Sequence, residues 1–257
     1  MKLGLERKVV LVTGGSKGIG LACAQAFLAE GAQVAIASRS RENLERAAAT
    51  LDGVLSVPAD LALADAGPLL VQEVEGKLGP VDVLINSAGA AKRYLPEDLE
   101  AQSWHAAMDA KYFTYIHAMQ AVLPGMAARG AGNVVNIIGM GGKVANLIHL
   151  PGGAANSALM LATVGLAQVY GPKGIRINAI NPGATLTERL KERLAVEAKA
   201  RNTTADEVLA QGQARVPLRR YATPEDVANV ALFLASASAS YVTGAIIPMD
   251  GGSNPVV

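Results

Sequence analysis

The sequence is poor in cysteine, in aromatic residues and in net charge. Its 257 residues include a single cysteine, Cys23, which excludes an internal disulfide and, among Ala and Leu neighbours, predicts a small buried side chain. Aromatic residues make up 4%, so Ala, Val, Leu and Ile must fill the core. The net charge is +1 and no basic run stands out, which argues against nucleic-acid-binding and membrane-surface proteins.

Long apolar runs are absent as well. Residues 1–7 show no apolar core with a cleavage site, and no later run is expected to reach the length of a membrane span. We therefore expect a cytoplasmic protein without a membrane partner. Hydrophobic residues still make up 51% of the chain, which is typical of a well-packed globular protein.

The most informative segment is a glycine-rich turn, Thr13–Gly20, with the sequence Thr-Gly-Gly-Ser-Lys-Gly-Ile-Gly. It follows an apolar, β-branched run at 8–12 and precedes a helical pattern at 21–30, so it joins a predicted strand to a predicted helix. The free N–H groups and the positive dipole end of that helix suit a pyrophosphate. The segment therefore predicts dinucleotide binding, and a purely structural glycine turn is the alternative.

The residues after the second predicted strand indicate which dinucleotide binds. Folds selective for NAD usually place an acidic residue there, which holds the ribose 2′-hydroxyl. This chain has Ser38 and Arg39, and Lys17 in the glycine-rich turn adds a second positive charge. A guanidinium can bind a 2′-phosphate in bidentate fashion. We therefore predict NADP(H) rather than NAD(H), the alternative being that both cations are solvated surface residues.

Strand and helix patterns alternate along the whole chain, without a composition break that marks a linker. This alternation predicts one doubly wound α/β domain of the Rossmann type over residues 1–257, with a mainly parallel sheet. Residues 185–214 are charged and helical, and we interpret them as a mobile lid. The predicted helix at 154–170 is apolar almost all round, which favours burial against another subunit. The predicted strands lie at 8–12, 33–38, 54–58, 81–85, 134–138, 175–180 and 244–249. One long, continuous helix is predicted over about 102–126, before the fifth strand.

Further motifs follow at regular places along the chain. They are Asp60-Leu61, Asn86–Gly89, Trp104, Ile175–Asn178, Asn181–Gly183, Thr223–Asp226, Tyr241–Gly244 and Asp250–Gly252. Together with the glycine-rich turn, they resemble the short-chain dehydrogenase/reductase family over nearly the whole chain. The resemblance implies a seven-stranded sheet, a nicotinamide cofactor, a homotetramer or homodimer, and hydride transfer between a carbonyl and an alcohol.

The resemblance also implies a set of cofactor-binding residues. Asp60 meets the adenine amino group in this interpretation, although it could equally cap the next helix, and Thr187 holds the nicotinamide carboxamide. The full predicted set is Gly14, Ser16, Lys17, Gly18, Ile19, Gly20, Ser38, Arg39, Asp60, Leu61, Asn86, Ala88, Gly89, Pro182, Gly183 and Thr187.

The catalytic positions of the family carry different residues here. An Asn is implied seven residues after Trp104, and Lys111 stands there. A Ser is implied at the end of the fifth strand and a Tyr thirteen residues later, and these places fall on Gly139 and Gly152. The Lys implied four residues after the Tyr falls on Asn156. We expect the two glycines to open space at the floor of the site.

Without those hydroxyl groups, another group must protonate the reacting oxygen. Lys111 and His149 are the predicted donors, with Tyr94 and Lys143 as further candidates, because a Lys in an apolar cleft can titrate near neutrality. Asn156 can replace some hydrogen bonds of the family's Lys. The alternatives are a Lys111 whose amine simply reaches water and a surface His149.

Three functions remain open. The first, which we favour, is an NADP(H)-dependent oxidoreductase with an altered active site, acting on an unknown carbonyl or alcohol. The second is a catalytically inert NADP-binding protein, such as a sensor or a partner subunit, and the third is a lyase or isomerase without redox chemistry. Leu147, Ile148 and Leu150 indicate a mostly nonpolar small-molecule ligand. No metal site is predicted.

Overall fold

The computed structural model describes residues 3–89 and 91–254. Seven strands form one parallel sheet in the order β3-β2-β1-β4-β5-β6-β7, with helices on both faces, which confirms the predicted fold class. The strands are β1 Val9–Thr13, β2 Gln33–Ser38, β3 Leu55–Pro58, β4 Val83–Asn86, β5 Gly132–Ile137, β6 Ile175–Pro182 and β7 Ile246–Met249. The helices are α1 Gly18–Ala29, α2 Arg41–Ala48, α3 Ala66–Leu78, α4 Ala101–Ala107, α5 Thr114–Arg129, α6 Leu150–Tyr170, α7 Glu188–Ala200, α8 Ala205–Ala214 and α9 Pro224–Ala235.

Continuous apolar strands explain why the sheet is covered on both faces. In β1, the side chains of Val9 and Leu11 belong to one core, those of Val10 and Val12 belong to the other, and all four are buried. The first core lies under α3, α5 and α6, and the second lies under α1, α2 and α9. A parallel sheet between two helix layers needs apolar side chains on both faces of each strand, and β1 supplies them.

The strand order reverses between β1 and β4. From β1 the chain moves outward to β2 and β3, and it then returns to add β4 on the other side of β1. In doubly wound sheets, the loops at such a reversal diverge and leave a crevice at the carboxyl ends of the strands. Thr13–Gly20 follows β1 and Asn86–Gly89 follows β4, so the two motifs border this crevice.

The long helix predicted before the fifth strand is interrupted, so the prediction of one continuous helix was wrong. The chain forms α4, a π-helical segment at Met108–Phe113, and then α5. A close tertiary contact accompanies the interruption, because a Cβ on Gly89 would lie 2.2 Å from the carbonyl oxygen of Ala110. The Thr114 hydroxyl donates to the carbonyl of Lys111 over 2.8 Å. Single π turns often occur at functional sites, and this one carries Lys111.

The segment interpreted as a lid forms two helices, α7 and α8, that pack against each other. Their contact is a small apolar cluster of its own, centred on Leu190, Leu194, Ala198 and Val208. Thr204 caps α8 through a reciprocal pair of hydrogen bonds with Glu207, which fixes where the second helix begins. Motion of this segment stays a prediction.

Helix α6 corrects one expectation from the sequence. By length and composition alone, the 24-residue segment Leu150–Lys173 could cross a membrane, so the statement that no run reaches that length was wrong. Half of its most apolar window is buried inside the protein, as in the core helix of a globular domain. Leu159 and Ala167 pack into the first core, whereas Leu161 and Val169 on the opposite side are exposed.

Candidate functional site

A cavity of about 510 Å³ occupies the crevice at the carboxyl ends of the strands. It gathers segments that are far apart in the sequence, from the glycine-rich turn to the start of α7. All of the predicted cofactor-binding residues except Gly20 and Asn86 line it: Gly14, Ser16, Lys17, Gly18, Ile19, Ser38, Arg39, Asp60, Leu61, Ala88, Gly89, Pro182, Gly183 and Thr187.

Gly20 and Asn86 lie behind the cavity wall and shape it from there. A Cβ on Gly20 would lie 2.2 Å from the Gly14 carbonyl oxygen, so the helix can approach the turn only with glycine at this place. The buried Asn86 accepts a hydrogen bond from the Thr13 hydroxyl over 3.1 Å and donates to the side chain of Asn136 over 3.0 Å. These bonds tie together the ends of β1, β4 and β5.

The glycine-rich turn forms a narrow cradle. Gly14 has φ +69°, and a Cβ there would lie 2.8 Å from the backbone of Ala88, which also lines the cavity. Lys17 is the N-cap of α1, and no side-chain hydrogen bond caps this helix end. Free N–H groups at the positive end of a twelve-residue helix therefore face the cavity, which fits a pyrophosphate.

The cavity continues to the ends of β2 and β3. Ser38 and Arg39 line it there, and Arg39 takes part in no ion pair within the described ranges. Asp60 accepts a hydrogen bond from the backbone N–H of Ala62 over 3.2 Å, and thus stabilises a local turn. Its second carboxylate oxygen stays available to a ligand in the cavity.

Lys111 and Gly139 both lie on the cavity wall. The Nζ of Lys111 donates to the Tyr115 hydroxyl over 3.4 Å, and that hydroxyl donates to the Ile137 carbonyl over 2.6 Å. Burial first, and then the nearby positive charge of Arg189, lower the pKa of Lys111 to about 8. Lys111 can therefore exchange a proton near neutral pH, at the edge of the space that a ligand can enter.

His149 lies where a side chain at position 152 would begin. A Cβ on Gly152 would lie 2.3 Å from Cε1 and 2.4 Å from Nε2 of the imidazole. The expectation of open space at Gly152 was therefore wrong, because the ring fills it. Burial, followed by the charge of Arg93, lowers the pKa of His149. Its Nδ1 is buried and has no hydrogen-bond partner among the residues that the structure describes.

Asn156 fills part of the space beside the other glycine. Its Nδ2 lies 3.4 Å from the place of a Cβ on Gly139, and its Oδ1 is buried without a partner in the described chain. Neither Asn156 nor His149 belongs to the lining of the main cavity. Of the three predicted catalytic residues, the structure thus brings only Lys111 to the cavity surface.

Arg189 is a cavity residue that the sequence analysis missed. It is the second residue of α7, two positions after Thr187, and it lines the cavity together with Glu188 and Glu192. The signal available in the sequence was its position six residues after the Asn181–Gly183 motif and two after Thr187, the predicted carboxamide contact.

Comparison with known proteins adds an independent result. Residues 14–254 match the family model described as Enoyl-(Acyl carrier protein) reductase. The chain is 35% identical to 2-(S)-hydroxypropyl-CoM dehydrogenase 3 of Xanthobacter autotrophicus, over 98% of each chain. It is 34% identical to 3-oxoacyl-(acyl-carrier-protein) reductase of Thermotoga maritima, over 96% of this chain and 98% of the relative.

A solved structure with a similar fold is L-sorbose reductase from Gluconobacter frateurii, complexed with NADPH and L-sorbose. It superimposes with a TM-score of 0.95 at 28% identity, over 100% of both chains.

Proposed function

Because the chain belongs to the short-chain dehydrogenase/reductase family of oxidoreductases, we propose that it transfers hydride between NADP(H) and a carbonyl or alcohol substrate. We propose further that Lys111 replaces the hydroxyl acid that the family resemblance implies. The observation that supports this choice is a part-buried amine on the cavity wall whose pKa is about 8. Gly139 and Gly152 offer no group that could act instead.

The cavity fits a dinucleotide in each of its parts. The uncapped end of α1 and the Gly14 cradle suit the pyrophosphate, Ser38 and Arg39 suit a 2′-phosphate, and Thr187 suits the carboxamide. When bound, the nicotinamide supplies or accepts the hydride. The NADPH in the L-sorbose reductase structure supports the same cofactor here.

Proton transfer is the part of the reaction that this chain's own residues perform. In reduction, the Lys111 ammonium donates a proton to the carbonyl oxygen as hydride reaches the carbon, and the neutral amine regains a proton from water. In oxidation, the neutral amine accepts the alcohol proton. Tyr115 holds the amine at the cavity wall through the hydrogen bond to its hydroxyl. His149 and Asn156 do not line the cavity, and they fill the space beside Gly152 and Gly139.

Replacing Arg39 by alanine is expected to weaken NADPH binding and to leave NADH binding nearly unchanged. The loss should be about tenfold to a hundredfold in Kd, because a hydrogen bond to a charged partner contributes about 1.5–3 kcal/mol. Fluorescence titration of both nucleotides measures the effect. Arg41→Ala is the matched control, since Arg41 is an exposed cation on α2 that does not line the cavity. Equal losses for both nucleotides would contradict a 2′-phosphate contact.

We also propose that the protein forms a homodimer or homotetramer through α5 and α6. The exposed faces of these helices enclose an apolar groove of about 450 Å³, lined by Tyr112, Ile116, Leu123, Leu166 and Tyr170, among others. Such a surface favours contact with a second copy rather than with water. A cytoplasmic location and a mostly nonpolar substrate stay predictions.

Replacing Leu161 by arginine is expected to break this assembly. Leu161 is 76% exposed on α6, so the monomer should keep its fold, while the charge cannot be buried in an interface. Sedimentation velocity should show a shift from the native oligomer to a smaller species. Leu69→Arg, at a site 61% exposed on α3, is the control and should leave the oligomer intact. A monomeric wild-type protein would overturn the proposal.

A further inference from the structure

We propose that the site takes carbonyl substrates that carry an anionic group, a carboxylate or a phosphate, and that Arg93, Arg189 and Arg193 hold this group. The inference rests on the proposed function and narrows its substrate class. These three residues are called the arginine cluster below.

One member of the arginine cluster lies on the cavity wall, near Lys111, and the other two lie beside it. Arg189 lines the cavity itself. Arg193 is four residues further along α7, and residues at this spacing share one helix face. Arg93 belongs to the loop after β4, and the adjacent Tyr94 N–H donates to the Ile148 carbonyl over 3.1 Å, which fastens this loop beside His149.

The three guanidinium groups are close enough to affect one another. Arg93 has its pKa lowered by burial first, and then by the charges of Arg193 and Arg189. Arg189 also lowers the pKa of Lys111, and Arg93 lowers that of His149. Guanidinium groups from two separate segments, the loop after β4 and α7, thus lie close together beside the cavity, although such proximity is unfavourable without an anion between them.

No carboxylate of the described residues forms an ion pair with the arginine cluster. Its members take part in none of the six ion pairs found in residues 3–89 and 91–254, and the buried Nε of Arg193 has no hydrogen-bond partner there. Two acidic residues lie nearby on α7. Glu188 is paired with Lys191 at 2.7 Å, and Glu192 lines the cavity without an ion pair within the described chain.

Planar guanidinium groups that lack carboxylate partners are the usual receptors for carboxylate and phosphate. The competing source of an anion is the cofactor's own pyrophosphate. That group is already served by the open end of α1 at the glycine-rich turn, whereas Arg93 and Arg193 do not line the cofactor cavity. The arginine cluster therefore remains for the substrate.

The test uses ketones that differ only in the anionic group. Isothermal titration measures binding of 4-oxopentanoate and its methyl ester, and of hydroxyacetone phosphate and hydroxyacetone, to the protein saturated with NADP⁺. The oxidised cofactor prevents reduction during the titration. We expect at least one anion to bind about tenfold more tightly than its neutral partner, the gain typical of charge-assisted hydrogen bonds. The two pairs distinguish a carboxylate from a phosphate preference.

Substitutions then test which residues cause the tighter binding of the anionic ketone. Arg93→Gln and Arg189→Gln should each remove most of it, whereas Arg201→Gln, which removes a cation paired with Glu197 at the far end of α7, should keep it. Equal binding of acids and esters, no binding of either anion, or a preference that survives both substitutions overturns the inference. Weaker NADP⁺ binding with an unchanged ketone preference overturns it too, because the arginines then serve the cofactor.

The same four ketones are finally tested as substrates with NADPH. Anion binding that depends on Arg93 and Arg189, without any NADPH oxidation, supports the anion site and contradicts the proposed hydride transfer. Oxidation of NADPH by neutral and anionic ketones at equal kcat/KM supports the proposed hydride transfer and contradicts the anion site.

Discussion

Replacing Lys111 by methionine is expected to lower NADPH-dependent carbonyl reduction by a factor on the order of 10²–10⁴, the range that a positioned general acid contributes. Methionine keeps the apolar stem of the side chain and removes the proton. The variant should lose kcat while NADPH binding stays within about twofold of wild type, because the cofactor residues lie elsewhere on the cavity wall. Initial rates of NADPH oxidation with a panel of ketones and aldehydes measure the effect.

The pH dependence gives a second readout of the same residue. The pKa of Lys111 lies below the usual lysine value, at about 8, so the ammonium form that donates the proton predominates below this pH. Reduction should therefore be fastest below pH 8 or so and fall as the pH rises through the pKa, with the opposite trend for alcohol oxidation. Burial lowers the pKa of His149 from its usual value, so its titration moves away from that of Lys111. This dependence of the reduction rate on pH should vanish in the Lys111→Met variant.

Lys143→Met serves as the matched control, because Lys143 is exposed and lies outside the cavity lining. It should keep both the rate and the pH profile. Full activity of Lys111→Met would show that another group is the proton donor. Tight NADPH binding by the wild type, without oxidation in the presence of any carbonyl, would instead favour the inert cofactor-binding protein. Product formed without cofactor would favour a lyase or isomerase.

Replacing Gly14 by alanine is expected to disrupt both folding and cofactor binding. The residue has φ +69°, and its new Cβ would lie 2.8 Å from the Ala88 backbone, which cannot rotate away. Left-handed backbone and overpacking together should lower the free energy of unfolding by about 3 kcal/mol or more. The cradle must also widen, and a displacement of about 1 Å at a positioned site can weaken its function about a hundredfold.

Gly130→Ala separates the two causes. Gly130 has nearly the same backbone, with φ +68°, but nothing lies within 4 Å of its Cβ position. The Gly130→Ala substitution should lower the free energy of unfolding by only about 1–2 kcal/mol and leave NADPH binding unchanged. Chemical denaturation and nucleotide titration of both variants provide the comparison. Equal losses in stability, or unchanged NADPH binding by Gly14→Ala, would show that contact with Ala88 does not set the width of the cradle.

The fold could be predicted because its determinants are local. A few consecutive residues are enough to predict the apolar strands β1 and β4 and the glycine-rich turn. The π-helical segment at Met108–Phe113 could not be predicted in this way. This segment contacts the backbone of Gly89, which lies about twenty residues earlier in the chain. The spacing of apolar residues along a helix does not indicate such a contact.

The site was predictable in part for the same reason. Motif spacing identified Lys111 and most of the cavity wall, because each motif follows its own strand. It could not show that His149 fills the space at Gly152, since glycine alone suggests an empty volume. Nor could it show that Arg93 and Arg189 lie near each other, because one belongs to the loop after β4 and the other to α7, and they share no sequence pattern.

The imidazole of His149, which lies against Gly152, limits which substitutions position 152 can accept. A tyrosine introduced at position 152 alone would collide with Cε1 and Nε2 of His149 at the first atom of its side chain. Introducing the tyrosine that the family resemblance implies therefore requires His149 to be shortened first or at the same time. Position 152 can accept a larger side chain only after position 149 has changed, so a designer who wants a hydroxyl group there must alter both residues.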